Sequence, residues 1–245
     1  EVFMFAFKNT KQFVRGVAGC FLLLFMGCHP SWAGIQVSPM MVSLDTHNQY
    51  VSSIKVLSDS QETQYIKVDI KKIENPGSPE QKEVDLIDKA GAIIASPQRF
   101  ILPAGGSHVV RLLSDGIPST EGVWRVYVYS VGDNDQDEAS KGSDAKIAIN
   151  IHWGALVYNE PEKPQPQLSF NPVTGLLTNT GNTRIFITRY GFCHATENCH
   201  WQHLDYAIYP NTAKRLNIEG GRKGNTLLIE SRKNNSAPEY TKVEF

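Results

Sequence analysis

Five residues near the C-terminal end carry side chains able to bind a metal or form a covalent link: Cys193, His194, Cys199, His200 and His203. The cysteine spacing is wider than the two to four intervening residues usual in zinc sites. Cys20 and Cys28 fall in a stretch read below as a removable leader, which leaves Cys193 and Cys199 as an even pair in an exported chain. Such a pair is expected as a disulfide in preference to a metal cluster, with the histidines on a surface loop. The loop it closes is tiny, worth roughly 2–2.5 kcal/mol of chain entropy, so it pins a local turn. Other chemistry finds no footing. Gly105-Gly106 lacks the Lys-Ser/Thr of a phosphate loop. No glycine-x-serine-x-glycine elbow occurs, and no Ser, His and Asp set stands out. The acidic run Asp133 to Glu138 lacks calcium-loop spacing and reads as solvated. Neither catalysis, a metal nor a cofactor is expected.

A second pattern acts through the backbone. From Ile147 the odd positions are Ile147, Ile149, Ile151, Trp153, Ala155 and Val157, all apolar. The even positions Ala148, Asn150, His152, Gly154, Leu156 and Tyr158 are mixed. Alternation this long places one continuous apolar row on one face of a strand. The row either belongs wholly to a core or projects in part beyond it, where it can fill a partner's groove by β-strand addition.

The elements around this strand are also β. Ile35 to Leu44 reads as a strand interrupted by Pro39, which places it on an edge or switches it between sheets. Val51–Leu57, Tyr65–Ile73, Arg99–Leu102, Ser107–Leu113, Val123–Val131 and Lys146–Tyr158 complete the set. Asn75-Pro76-Gly77 and Pro103-Ala104-Gly105-Gly106 serve as turns, and 132–145 reads as a mobile hairpin loop. Seven or so short strands predict an immunoglobulin-like sandwich. Glu160 to Pro166 holds three prolines and reads as a stiff linker. Beyond it a second set of short strands is expected over Leu168–Phe170, Gly175–Leu177, Arg184–Tyr190, Leu204–Tyr209, Arg215–Ile218, Thr226–Glu230 and Thr241–Phe245.

The first 33 residues differ from the rest. Lys8, Lys11 and Arg15 precede an apolar run, Val17 to Met26, followed by Ser31-Trp32-Ala33. This is the layout of a secretory signal peptide with a mature start at Gly34; Phe25-Met26-Gly27-Cys28 is a looser lipoprotein alternative. The run is shorter than the ~20 residues a membrane span needs, so no stable membrane insertion is expected. The domains are therefore expected at 1–33 (signal peptide), 34–160 and 161–245. A net charge of −1 argues against nucleic acid as a partner.

Several segments, in order along the mature chain, resemble the periplasmic pilus chaperones of the alternate chaperone–usher class, which assemble colonisation-factor and common-pilus fibres. They are Gln64-Tyr65-Ile66-Lys67-Val68, Lys71 to Gly77, Ser96 to Gly105, Trp124-Arg125-Val126-Tyr127, Asn150-Ile151 with Ala155-Leu156-Val157, Leu177 to Asn182, and Tyr190-Gly191-Phe192-Cys193 with Cys199. The resemblance implies an all-β protein of two immunoglobulin-like β-sandwich domains in a boomerang. It implies a periplasmic chaperone that stabilises pilus subunits by donor-strand complementation and delivers them to an outer-membrane usher. By position, Ile147, Ile149 and Ile151 are the subunit-binding donor residues, while Trp153, Ala155 and Val157 belong to the chaperone's own core. An exposed donor row is also a surface that self-association of the free protein would hide. The alternative is a structural pilus subunit or adhesin-like sandwich. A pilus subunit would carry a donor extension before its first strand, whereas strand-like sequence here starts almost at Gly34.

The pattern departs from the family at its anchor. Classical pilus chaperones hold the pilin's terminal carboxylate with an Arg on the first strand and a Lys on the donor strand, and relatives in the alternate class carry a base near the donor strand's end. This chain has Val37-Ser38-Pro39-Met40-Met41 and Tyr158-Asn159 there. Arg125 is the expected substitute, placed across from about His152. Arg111 resembles a family arginine that makes an interdomain ion pair, with Glu121 as its expected partner.

Overall fold

The computed structural model describes residues 34–85, 91–131, 151–194, 198–217, 226–232 and 238–243. The signal-peptide reading of 1–33 and the loop reading of 132–145 lie outside the described residues. No helix occurs among those described. The first strand region divides at Pro39. β1 (Ile35–Ser38) pairs antiparallel with β3 (Val51–Ser58), whereas β2 (Met41–Leu44) pairs parallel with β10 (Trp153–Asn159) in the other sheet. Proline denies the ladder a donor at that point, and the chain crosses between sheets there, as expected.

The first sheet runs β1, β3, β8 (Ser107–Asp115), β6 (Ala92–Ser96). The second runs β2, β10, β9 (Gly122–Val131), β4 (Gln64–Glu74), β5 (Lys82–Asp85), with β7 (Arg99–Leu102) also on β4. Alternation decides which side chains enter the space between them. On β9, Trp124, Val126 and Val128 are buried while Arg125 and Tyr127 face away. On β4, Ile66 and Val68 are buried, and Lys67, Asp69 and Lys71 lie on the opposite side. Ile54, Val56, Val110 and Leu112 answer from the first sheet. Two strands, β5 and β6, escape the sequence reading. β5 (Lys-Glu-Val-Asp) has one apolar residue and owes its place to pairing with β4.

The remaining strands form a second pair of sheets. One runs β11 (Leu168–Asn171), β12 (Leu176–Asn179), β15 (Ala213–Arg215). The other runs β14 (Asn198–Ile208), β13 (Ile185–His194), β16 (Thr226–Arg232), β17 (Glu239–Val243). Phe170, Leu177, Ile187, Phe192, Ile208, Leu227 and Ile229 form their common core. Cys193 and Cys199 face each other across the β13–β14 hairpin and form a disulfide. It closes the hairpin end, the local role its short loop predicts.

The proline-rich connection is held at both ends. Gln165 N–H donates to Asn182 Oδ1 at 2.6 Å, Asn182 N–H returns to Gln165 O at 3.1 Å, and Thr180 N–H donates to Gln167 O at 2.9 Å. Gly181 sits beneath this segment, so close that a Cβ there would lie 2.1 Å from Gln165 O. Asn182 Nδ2 also donates to Ser119 O and Lys163 O. The linker is fixed by hydrogen bonds as well as by its prolines.

Candidate functional site: the long strand and the face beside it

β10 is the organising element. Its odd positions Ala155 and Val157 are fully buried, and Trp153 packs against the same core. The later part of the row is therefore core, as expected. One step earlier Ile151, at the same parity, is 58% exposed and outside the strand. Ile147 and Ile149 lie outside the described residues. β2 covers the β10 edge only from Leu156 to Asn159. Among the described residues no strand covers that edge before Leu156.

The opposite face of the same sheet carries the polar side chains. Pairing places Leu156, and not His152, opposite Arg125, with Lys71 on the far side. His152 instead stacks on the Tyr129 ring, centroids 4.0 Å apart. Arg125 is already engaged: its Nη1 lies 2.5 Å from Glu83 Oε1, and Tyr127 Oη donates to the same carboxylate at 2.8 and 3.0 Å. Its contact with Tyr127 and the Glu83 charge hold the guanidinium above its ordinary pKa. Gly154 makes room for this arrangement. A Cβ there would meet Arg125 Cδ at 2.9 Å and Tyr127 Cε1 at 3.2 Å.

Next along this face, Ile73, Val123 and Tyr158 form a small buried cluster against which Tyr209 packs from the second pair of sheets. Tyr206 Oη donates to Gly77 O in the turn after β4. Burial and the neighbouring Tyr158 push the Tyr209 phenol well above its ordinary pKa. Beside the cluster lies a polar core. Glu121 receives Thr183 Oγ1 at 2.9 Å and Arg184 N–H at 3.1 Å, and its carboxylate pairs with Arg184 Nη1 at 2.8 Å. Glu160 lies 3.6 Å from the same guanidinium, which sits 3.6 Å above the Tyr158 ring. Burial opposes the charge of Arg184, yet the two carboxylates outweigh it and keep its pKa raised.

This corrects the expected ion pair. Glu121 is taken by Arg184, while Arg111 stands exposed on β8 between Ser53 and Ser96. The physical reason is topological: Arg111 is on the first sheet, and Glu121 precedes β9 of the second. Sequence reasoning misses Arg184, Glu83 and Gly154 because each acts through a partner distant in the chain, or through the absence of a side chain. Arg184 also supplies a cation at Tyr158, near the end of β10. Tyr158, Glu160 and Arg184 line a cleft of about 870 Å³ together with Met41, Ser43 and Phe186.

No family model matches the chain. Among curated proteins it is 38% identical to a CS1 fimbrial subunit of Escherichia coli over 65% of this chain and 71% of that protein. It is 31% identical to a CFA/I fimbrial subunit of Escherichia coli over 78% of this chain and 83% of that protein. Among solved structures it matches the class 5 fimbriae chaperone CfaA with a TM-score of 0.71 and 28% identity, covering 86% of this chain and 99% of that one. The match to that chaperone runs over nearly its whole length, so the structural-subunit alternative is not favoured. The chain belongs to the fimbrial chaperones of the alternate chaperone–usher class, all-β proteins of two immunoglobulin-like domains that hold pilus subunits and are not enzymes.

Proposed function

We propose that this chaperone captures its pilin with the segment that runs into β10, inserting Ile147, Ile149 and Ile151 into the groove of an incomplete pilin and anchoring the pilin's terminal carboxylate on Arg125. The observation that carries the reading is the change of role along one row: Ile151 is exposed where Ala155 and Val157 are buried. Strand addition at the uncovered edge satisfies the partner's backbone groups, and alternate side chains cover its apolar surface. Burial of three isoleucines contributes roughly 5–8 kcal/mol before association costs. Residues 1–33 act as a cleaved signal peptide and deliver the protein to the periplasm. Residues 34–160 form the donor domain and 161–245 the second domain. The loaded complex passes its pilin to an outer-membrane usher, and the free protein hides its donor row by self-association.

The test is periplasmic co-expression with the pilin encoded beside this gene. Wild type should yield a soluble one-to-one complex on a sizing column. Ile149→Asp and Ile151→Asp should each lose it while remaining folded, because a carboxylate in the partner's apolar groove is costly. Undiminished capture by both variants would overturn the donor-strand assignment.

A further inference from the structure

The pairing around Arg125 is an arrangement that a partner's carboxylate would have to enter. Glu83 comes from β5, a four-residue strand at the sheet edge, and reaches Arg125 across β4. Both side chains are partly buried, at 29% and 24% exposure, so each stays within reach of an arriving group. The Glu83 carboxylate accepts from one Arg125 nitrogen and from the Tyr127 hydroxyl. That donor pair would serve any carboxylate equally. Arg125 pairs with Leu156 on β10, where the uncovered stretch of that edge ends, while Gly154, opposite Tyr127, has no side chain and the Arg125 stem lies against it. Met41, opposite Leu156 on the neighbouring strand, is 64% exposed at the same rim.

We infer that Glu83 is a built-in placeholder for the partner's terminal carboxylate. In the free chaperone it holds Arg125 and Tyr127 in their receiving geometry, and the incoming carboxylate displaces it. This rests on the assignment of Arg125 as the anchor. The exchange of one carboxylate for another keeps the partly buried guanidinium paired at both ends of the process, where an unpaired charge would be unfavourable. It also confers selectivity. A partner ending in a neutral group cannot replace Glu83, and an internal acid repels ligands whose charge is poorly placed.

The probe is a synthetic peptide of the last twelve or so residues of the co-encoded pilin, made with a free carboxylate and as the amide. Binding of each form is measured to wild type, Glu83→Gln, Arg125→Ala and the double variant. Wild type should prefer the acid, and Arg125→Ala should lose that preference. Glu83→Gln should bind the acid about three- to tenfold more tightly, the gain expected when an occupied site is vacated, and leave the amide unchanged. The double variant should match Arg125→Ala. If Arg125→Ala abolishes the preference but Glu83→Gln binds both peptides as wild type does, or tightens both equally, the placeholder is wrong and the anchor stands. If wild type does not distinguish the peptides, or Arg125→Ala still does, the anchor itself is wrong and the placeholder falls with it.

Discussion

At the scale of single residues, the sites that matter most are those whose neighbours leave no freedom. Gly181 is the sharpest case. Its missing Cβ would lie 2.1 Å from Gln165 O and 2.7 Å from Gln167 N, both backbone atoms that cannot swing aside as a side chain would. Gly181→Ala must therefore push the linker off Asn182 and Thr180, and it should destabilise the protein by about 1–3 kcal/mol, the usual range for overpacking. Chemical denaturation of the variant checks this, and a loss below a few tenths would mean that the linker yields freely. Gly154 is more tolerant, because the atoms it spares belong to the flexible stem of Arg125 and the ring of Tyr127. Composition alone assigns neither glycine a role. Their roles depend on which distant segment lies above them.

At the scale of the element, β10 combines two functions in one alternating row, and stability measurements can locate the boundary. Val157 is fully buried, so Val157→Ala removes apolar contact and leaves a small void, at a cost of about 2 kcal/mol. Ile151 is 58% exposed, so Ile151→Ala should stay within about 0.5 kcal/mol of wild type in the free protein. Paired denaturation curves decide the matter: equal losses would place Ile151 in the chaperone's own core. The alternation itself was legible from sequence because side-chain period is a local property, as were the turn at Pro103 to Gly106 and the sheet switch at Pro39. β5 was not legible, since Lys82-Glu83-Val84-Asp85 carries almost no apolar signal and is a strand only by virtue of its neighbour β4. The partner of Arg125 was lost with it. The Glu121 partner was lost for a related reason: family position suggested Arg111, but the carboxylate is reached from β13's start, where Thr183 and Arg184 bring a hydroxyl, an amide and a guanidinium together.

At the scale of the whole molecule, the question is whether the two pairs of sheets behave as one cooperative unit. Residues Gly34–Phe245 group as a single body by contact, although no strand pairing among the described residues joins the first ten strands to the last seven. What joins them is the cluster of Ile73, Val123, Tyr158 and Tyr209, the Tyr206 to Gly77 hydrogen bond, the bonds from Glu121 N–H to Asn182 O and from Asn182 Nδ2 to Ser119 O, and the Arg184 group. The apolar cluster is small, so the polar group must contribute strongly to coupling. Its arginine side chain is 18% exposed and its two glutamates 0% and 5%. Arg184→Ala would leave both carboxylates buried without their cation, and truncating one member of such a buried set costs about 3–5 kcal/mol. The loss falls on the junction, so it should appear as lost cooperativity as well as lost stability. Variants retaining either Trp124 or Trp201 report on opposite sides of the junction. In the wild-type background their fluorescence transitions in denaturant should coincide, the signature of two-state unfolding. With Arg184→Ala added, the transitions should separate, because each pair of sheets keeps its own core while the connection that transmits unfolding is gone. Coincident transitions shifted together to lower denaturant would show that the apolar cluster and linker suffice to couple the halves, and would reduce the Arg184 group to a contributor to stability alone.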